Sequence, residues 1–373
     1  MKQPELTIVI PTYNERDNIV KLVSEITHAL NGIDWAIFFV DDNSQDGTIE
    51  LLKSIISSNE RVDGVVRKGK RGLSGAVLTG LLYVRSHYVA VMDADLQHDP
   101  KLIKEMLTGL HNNPAVQVVI ASRYSYSTKV DGLNKFRAIG SWFLTYISRL
   151  LISKKLTDPM SGFFITRTKI FSELAPYLSH NGYKIMLDLV SGLPDKNAIL
   201  EYPLIFRPRN AGFSKMDFRV LWELIITLIY RSFKNFLPRQ FLSFLLIGLI
   251  GLSVHIFVLF ILYIQFQFKF QTSQIAGTLL AILNNFLLNN YLTYQNLSLQ
   301  GKQLIHGYLK YMLICAIGAF FSFFLAVNLL EQGLNWALCG CIGAASVACW
   351  NYTLSKFLTW GPVRYEILSL KTN

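Results

Sequence analysis

The sequence predicts an α/β unit built on a mostly parallel, helix-covered sheet, followed by a domain of four membrane-spanning helices. Three observations carry this expectation. The first 120 residues alternate short β-branched runs with helical patterns, as βα units of a parallel sheet do. Beyond Pro238 come four apolar segments, each long enough to cross a bilayer. Charge also divides the chain: residues 1–240 hold 30 Lys and Arg and 23 Asp and Glu, whereas residues 241–373 hold 6 and 2. With 51% hydrophobic and 16% charged residues over 373 positions, disorder and a purely soluble enzyme are both excluded. The expected divisions are an α/β domain at 1–215, an interfacial helix and linker at 216–238, and a four-span domain at 239–373.

The runs Leu6–Ile10, Ala36–Val40, Val62–Val66, Tyr88–Met92 and Val116–Ile120 read as buried strands. Between them Arg16–Leu30, Thr48–Ser57, Ser74–Ser86 and Pro100–Leu110 carry helical spacing. Gly162–Thr166 and Ile199–Pro203 add two later strand candidates. Two further stretches, Lys135–Lys155 and Phe218–Phe236, are amphipathic and basic. The apolar run of the second is too short to span a bilayer and includes Glu223. Both fit helices lying on a membrane surface, the alternative being helices packed on the sheet.

The expected spans are 241–264, 273–294, 308–330 and 335–358. Arg231, Lys234 and Arg239 precede the first, Lys302 and Lys310 separate the second from the third, and Arg364 and Lys371 follow the fourth. The two remaining loops hold only Lys269 and Glu331. By the positive-inside rule the α/β unit and both termini are expected in the cytoplasm. No secretory signal is expected, since the apolar run Leu6 to Pro11 is too short for one. The spans also look duplicated. Residues 241–251 resemble 308–318 at an offset of 67, and 285–294 resemble 351–360 at an offset of 66, which suggests a repeat of two helices plus two. Cys315, Cys339, Cys341 and Cys349 match no zinc spacing and read as small membrane-buried residues.

Three polar clusters follow three of the strands: Pro11-Thr-Tyr-Asn-Glu15, Asp41-Asp42-Asn43-Ser44 and Asp93-Ala-Asp-Leu-Gln97. In an open parallel sheet all three emerge at the carboxyl edge, where such sheets bind ligands. Two carboxylates and an amide oxygen on one loop suit a hard divalent cation, Mg²⁺ or Mn²⁺, which usually bridges to phosphate oxygens. The usual phosphate-binding glycine loops are absent: there is no GxxxxGK[ST], and Gly69, Gly72 and Gly75 do not make GxGxxG. Lys68, Lys70 and Arg71 either assist a diphosphate or form a solvated basic loop.

Pro-Thr-Tyr-Asn-Glu at 11–15, Val-Asp-Asp at 40–42, Asp-Ala-Asp-Leu-Gln at 93–97, Ser-Arg-Tyr at 122–124 and Asp-Pro-Met-Ser-Gly-Phe-Phe at 158–164 together resemble glycosyltransferase family 2. Within it they resemble the polyprenyl-phosphate branch that includes the dolichol-phosphate mannose synthases, and the membrane half resembles the GtrA-like domain. The resemblance spans about residues 5–220 in the first half, with the motifs in family order. It implies a GT-A, Rossmann-like fold, to which the amphipathic spacing read above adds two interfacial helices before the four spans. It implies that Pro11, Tyr13, Glu15, Val40, Asp42, Asp93, Ala94 and Asp95 hold a nucleotide sugar, with Arg209 and Lys215 closing over it and Arg207 as the alternative to Arg209. Asp93, Asp95 and Gln97 are the implied metal and catalytic residues; Arg123, Arg137 and Ser141 would hold an acceptor phosphate. Arg presents a planar fork matched to phosphate, and Arg137 and Ser141, four apart, share a helix face.

A phosphate monoester is mostly dianionic at neutral pH and needs no general base, unlike a sugar hydroxyl. Relatives that glycosylate hydroxyls carry an acidic pair after the Ser-Gly segment; here only Asp188 stands there. The Gln-x-x-Arg-Trp pattern of processive synthases is also missing. The expected reaction is a single metal-assisted inverting displacement from GDP-mannose to a polyprenyl or dolichyl phosphate. UDP-glucose is the alternative donor, and a non-catalytic lipid flippase or scaffold the alternative role. The expected partners are therefore a nucleotide sugar, a lipid phosphate and a membrane, with no nucleic acid.

Overall fold

The computed structural model describes residues 3–69, 72–123, 156–158, 161–178, 185–195, 198–205, 218–232, 237–361 and 366–371. Lys135–Lys155, the first of the two amphipathic stretches, lies outside these residues. The chain forms two compact units, one of residues 1–220 with 364–373, the other of residues 221–363.

Among the described residues the first unit holds a mixed sheet of eight strands: β1 (Leu6–Thr12), β2 (Trp35–Asp41), β3 (Val62–Lys68), β4 (Tyr88–Val91), β5 (Val118–Ser122), β6 (Phe164–Arg167), β7 (Ile199–Pro203) and β8 (Glu366–Ser369). Their order is β7-β5-β6-β4-β1-β2-β3-β8. The pairs β4-β1, β1-β2, β2-β3 and β5-β7 are parallel. β6 is antiparallel to both β4 and β5, so those two run the same way, and their carboxyl ends share one edge with those of β1 and β2. Helices α1 (Arg16–Ala29), α2 (Thr48–Ser58), α3 (Leu73–Leu81) and α4 (Leu102–Asn112) cover the faces. Ile19, Leu22, Ile26, Leu52, Met106 and Leu110 share a core with Ile8, Ile10, Ile37 and Phe39 of the central strands. Each such side chain contributes roughly 1.5–3 kcal/mol when fully buried. On the opposite face, a Cβ at Gly80 of α3 would come within 2.5 Å of Val9 Cγ1, so glycine permits that close approach. Two short helices, α5 (Thr168–Leu174) and α6 (Ile185–Gly192), lie between β6 and β7 in the chain.

Two expectations are corrected. α3 stops at Leu81 rather than Ser86, because the Ser86 hydroxyl bonds Thr7 Oγ1 at 2.8 Å and the Tyr88 carbonyl at 2.7 Å, at the entrance of β4. Residues 366–369, assigned in sequence to the four-span domain, instead form β8, antiparallel to β3 with Val66 opposite Leu368. Leu370 is buried in the sheet's core, and Lys371 Nζ lies 2.9 Å from Asp63.

The second unit holds the membrane spans Arg239–Gln265, Phe270–Thr293, Lys302–Glu331 and Trp336–Thr359. Their helices are α8 (Arg239–Leu259), α9 (Phe270–Leu288), α10 (Lys302–Glu331) and α11 (Trp336–Leu354). Little of each span is buried inside the protein, and Phe257, Phe260, Phe320 and Phe324 are exposed, as lipid-facing side chains are. The protein is an integral membrane protein. Before the spans, α7 (Phe218–Ser232) buries Trp222 and Ile226 against Ile247 and Leu292, and Trp222 Nε1 donates to Ser243 Oγ at 2.9 Å. The sequence repeat has a structural counterpart. Asn285 of α9 fills the notch at Gly251 of α8, and Asn351 of α11 fills that at Gly318 of α10. α9 and α11 both end in a π-helical turn, Asn289–Thr293 and Ser355–Thr359, again 66 residues apart.

Candidate active site

The three polar clusters converge as expected, since β4, β1 and β2 are neighbours and all three clusters follow their carboxyl ends. Each turn needs a left-handed residue, at Asn14 (φ 56°), Asn43 (φ 60°) and Leu96 (φ 62°). Asn tolerates that region through its short polar side chain. Buried Asp41 braces the first two turns: it accepts from the Thr12 hydroxyl at 3.0 Å, and from the Ser44 amide and hydroxyl at 2.8 and 2.6 Å. Asp42 accepts from Arg67 Nε at 2.7 Å and from the Gly72 amide at 2.8 Å. Burial pushes its carboxyl above the ordinary range, against the opposing pull of Arg67. Arg67 also donates to the Gly72 carbonyl at 3.0 Å, so Asp42 and Arg67 together tie β3 to the start of α3.

The third cluster folds as a tight turn. The Gln97 amide donates to Asp95 Oδ1 at 3.1 Å, and the Asp93 amide to His98 Nδ1 at 3.3 Å. His98 must be neutral at Nδ1 to accept that bond. Burial chiefly pushes its pKa down to about 4, and Asp95, Arg123 and Asp158 all act on it electrostatically. Its ring stacks on Phe163 with centroids 5.0 Å apart. The neighbouring Gly162 lies under Asp93, and a Cβ there would stand 3.0 Å from Asp93 Oδ2. Residues 161–163 lead into antiparallel β6, so they reach the same sheet edge from the opposite direction.

Arg123 follows β5 at that edge. Its guanidinium forks onto Asp158, Nε to Oδ2 at 2.7 Å and Nη2 to Oδ1 at 2.9 Å, and its backbone amide donates to Oδ2 at 3.1 Å. Asp158 is fully buried, whereas 29% of the Arg123 side chain is exposed. Glu201 of β7 supports the segment by accepting from the Thr157 and Asp158 amides at 3.0 and 3.2 Å. Its carboxyl is raised by burial, the two amides and the Thr157 side chain opposing.

The profile of glycosyl transferase family 2 matches residues 7–175, and that of the GtrA/DPMS transmembrane domain matches residues 243–360. The dolichol-phosphate mannosyltransferase of Pyrococcus furiosus is 30% identical over 362 residues, 95% of this chain and 99% of that protein. The chain belongs to glycosyltransferase family 2. The dolichol-phosphate mannosyltransferase of Saccharomyces cerevisiae is 32% identical over 230 residues, 59% of this chain and 84% of that protein. Among solved structures, the glucosyl-3-phosphoglycerate synthase of Mycobacterium tuberculosis aligns with a TM-score of 0.47 and 21% identity, over 61% of this chain and 80% of that one.

In this glycosyltransferase the structure brings Pro11, Tyr13, Glu15, Val40, Asp42, Asp93, Ala94, Asp95, Gln97 and Arg123 to one sheet edge. Arg137, Ser141, Arg207, Arg209 and Lys215 lie outside the described residues, as do Lys70 and Arg71. Asp188 is buried on α6. Reading the sequence missed Arg67, His98 and Glu201 and assigned no role to Asp158. The one available signal was position, since Asp158 and His98 stand inside or beside the motifs. Among the described residues no three His, Cys, Asp or Glu side chains converge as a metal cluster. The turn carries the carboxylates of Asp93 and Asp95 and the side-chain amide of Gln97, residue types that offer hard oxygen atoms of the kind Mg²⁺ and Mn²⁺ take.

Proposed function

We propose that this glycosyltransferase moves mannose from GDP-mannose to the phosphate of a polyprenyl lipid, dolichyl phosphate or a close analogue. The observation that carries the reading is the meeting of two devices on one sheet edge. The Asp93–Gln97 turn is pinned by His98 and seated on Gly162; beside it the Arg123 fork is held in place by Asp158. One suits a nucleoside diphosphate held through a cation, the other a phosphate monoester. The relative from Pyrococcus furiosus, matched almost end to end, is named a dolichol-phosphate mannosyltransferase, which supports mannosyl transfer to a lipid phosphate.

Asp93, Asp95 and Gln97 would hold a divalent cation, Mg²⁺ or Mn²⁺. The Gly162 surface leaves Asp93 the room a Cβ would take. Such a cation would stabilise charge on the departing diphosphate. Pro11, Tyr13, Glu15, Val40, Asp42 and Ala94 would line the nucleotide, and Arg209 and Lys215 would close over it. Arg123, Arg137 and Ser141 would hold the lipid phosphate in line with the sugar, and Asp158, by taking the Nε–Nη2 edge, would fix the orientation of the Arg123 guanidinium. A phosphate oxygen forms a bond to the anomeric carbon as the bond to the nucleoside diphosphate breaks, with inversion. An α-linked donor thus gives a β-linked product, and the dianionic phosphate needs no proton removed.

In this reading residues 1–215 with the returning strand β8 catalyse, 216–238 lie at the interface, and the four spans anchor the enzyme. The catalytic unit and both termini are cytoplasmic, the side on which Arg239, Lys302 and Lys310 would then lie. The test is to incubate the purified protein with Mn²⁺, a polyprenyl phosphate and either labelled GDP-mannose or labelled UDP-glucose, and to count label entering the organic phase. Transfer from GDP-mannose that is lost in Asp95→Ala is the expected result. Transfer from UDP-glucose alone would replace the donor, and no transfer from either by a folded protein would remove the reading.

A further inference from the structure

The membrane unit carries a basic groove lined by its own residues. It is a cavity of about 470 Å³ at the start of α10, bounded by the loop residue Leu299, the first turns of α10 and Thr359. Lys302, His306 and Lys310 line it at four-residue intervals, so one helix face presents three nitrogen-bearing side chains. All three are exposed, and among the described residues no carboxylate lies within ion-pair range of any of them. Opposite them stands Thr359, only 7% exposed, whose Oγ1 is buried without a hydrogen-bond partner. A hydroxyl held out of water in this way is favoured only when something polar meets it.

The walls are built rather than accidental. Asn290 grips Leu299 on both sides, its Nδ2 donating to the Leu299 carbonyl at 3.2 Å and its Oδ1 accepting from the Leu299 amide at 2.8 Å. The same Oδ1 accepts from Trp360 Nε1 at 2.9 Å, beside Thr359. Gly307 forms the floor, and any Cβ there would overlap Leu299 Cδ1.

Depth selects the class of ligand. α10 has 30 residues, about 45 Å at the usual rise, against a hydrocarbon core of about 30 Å. The basic residues of α10 lie only in its first nine positions, and its apolar run follows from Tyr311 to Leu330. The excess length therefore lies at Lys302–Lys310, at the level of lipid headgroups. A soluble anion would need only the cations. The apolar wall of Leu299 and the position of the groove at headgroup depth suit a phosphate carried on a hydrocarbon chain.

We infer that this groove binds the phosphate group of a membrane lipid, through residues other than those proposed for the acceptor phosphate. The inference stands whether or not the donor and acceptor proposed above are right. Full-length protein in phosphatidylcholine nanodiscs would be challenged with phosphatidylglycerol, with a polyprenyl phosphate, or with inorganic phosphate alone, and bound ligand counted by native mass spectrometry. Wild type should retain at least one of the two lipids in preference to phosphatidylcholine; which one identifies the source. For polyprenyl phosphate the groove should appear as a second equivalent beyond the acceptor site. Lys302→Gln with Lys310→Gln should weaken that retention about tenfold or more, and Thr359→Val, which keeps shape and removes the hydroxyl, about threefold. Retention unchanged in both folded variants, no retention of either lipid, or inorganic phosphate bound as tightly as lipid would overturn the assignment.

Discussion

Asp93 rests on a residue with no side chain, and the 3.0 Å from its Oδ2 to a Cβ built at Gly162 leaves no slack. Gly162→Ala is therefore expected to displace one carboxylate without touching the core. Activity should fall about ten- to a hundredfold, while the unfolding temperature stays close to wild type; full activity would show that the Asp93 position is not critical. Arg123 gives the complementary test. Lysine keeps the charge but loses the planar fork that Asp158 holds through two bonds. Arg123→Lys is expected to lower kcat/KM for the lipid phosphate roughly ten- to a hundredfold, with KM for the nucleotide sugar little changed, as steady-state kinetics with each substrate varied would report. At this scale the carboxylates of Asp93 and Asp95 were legible because they follow an apolar strand. Asp158, Arg67 and His98 were not. A buried ion pair and a surface charge look identical in sequence, and only the fold reveals that Asp42 meets Arg67 25 positions away.

The turns and helix ends set the accuracy with which these side chains are held. β1 to β5 were legible because strands covered on both faces are continuous β-branched runs. The insertion of β6 between β4 and β5 was not, because strand direction leaves no mark on a four-residue run such as Phe164–Arg167. Four spans were visible from length and hydropathy alone, yet the π-helical turns that end α9 and α11 were not. The turn after α9 places Asn290 where one side chain serves Leu299 and Trp360 together. Asn290→Ala leaves three partners to find others. It is expected to reduce the stability of the membrane unit by roughly 2–4 kcal/mol, read as a lower unfolding temperature in detergent; a variant within experimental error of wild type would show that water replaces the amide.

Across the whole molecule, β8 imposes a condition on topology. The chain leaves the first unit, makes its crossings, and returns to pair with β3 of the same sheet. Only an even number of crossings permits this, which agrees with four spans. Epitope tags at the two ends should therefore behave alike in sealed membrane vesicles of either orientation, while tags placed in the 266–269 and 332–335 loops should show the opposite protease sensitivity. One end cleaved and the other protected would break the pairing. The same strand joins the anchor to the site through the chain itself. Arg67 stands opposite Ile367, and the Arg67 side chain holds Asp42. Ending the chain after Gly361 removes that ladder and uncovers the pocket of Leu370, whose burial alone contributes roughly 2–3 kcal/mol. The exposed Lys371–Asp63 pair adds at most about 1 kcal/mol. The truncated protein should still insert in the membrane, since all four spans remain. Its first unit should unfold at a lower temperature, and its KM for the nucleotide sugar should rise severalfold as the Arg67–Asp42–Gly72 bracket loosens. A truncated enzyme with unchanged KM but lowered stability would confine β8 to holding the sheet edge.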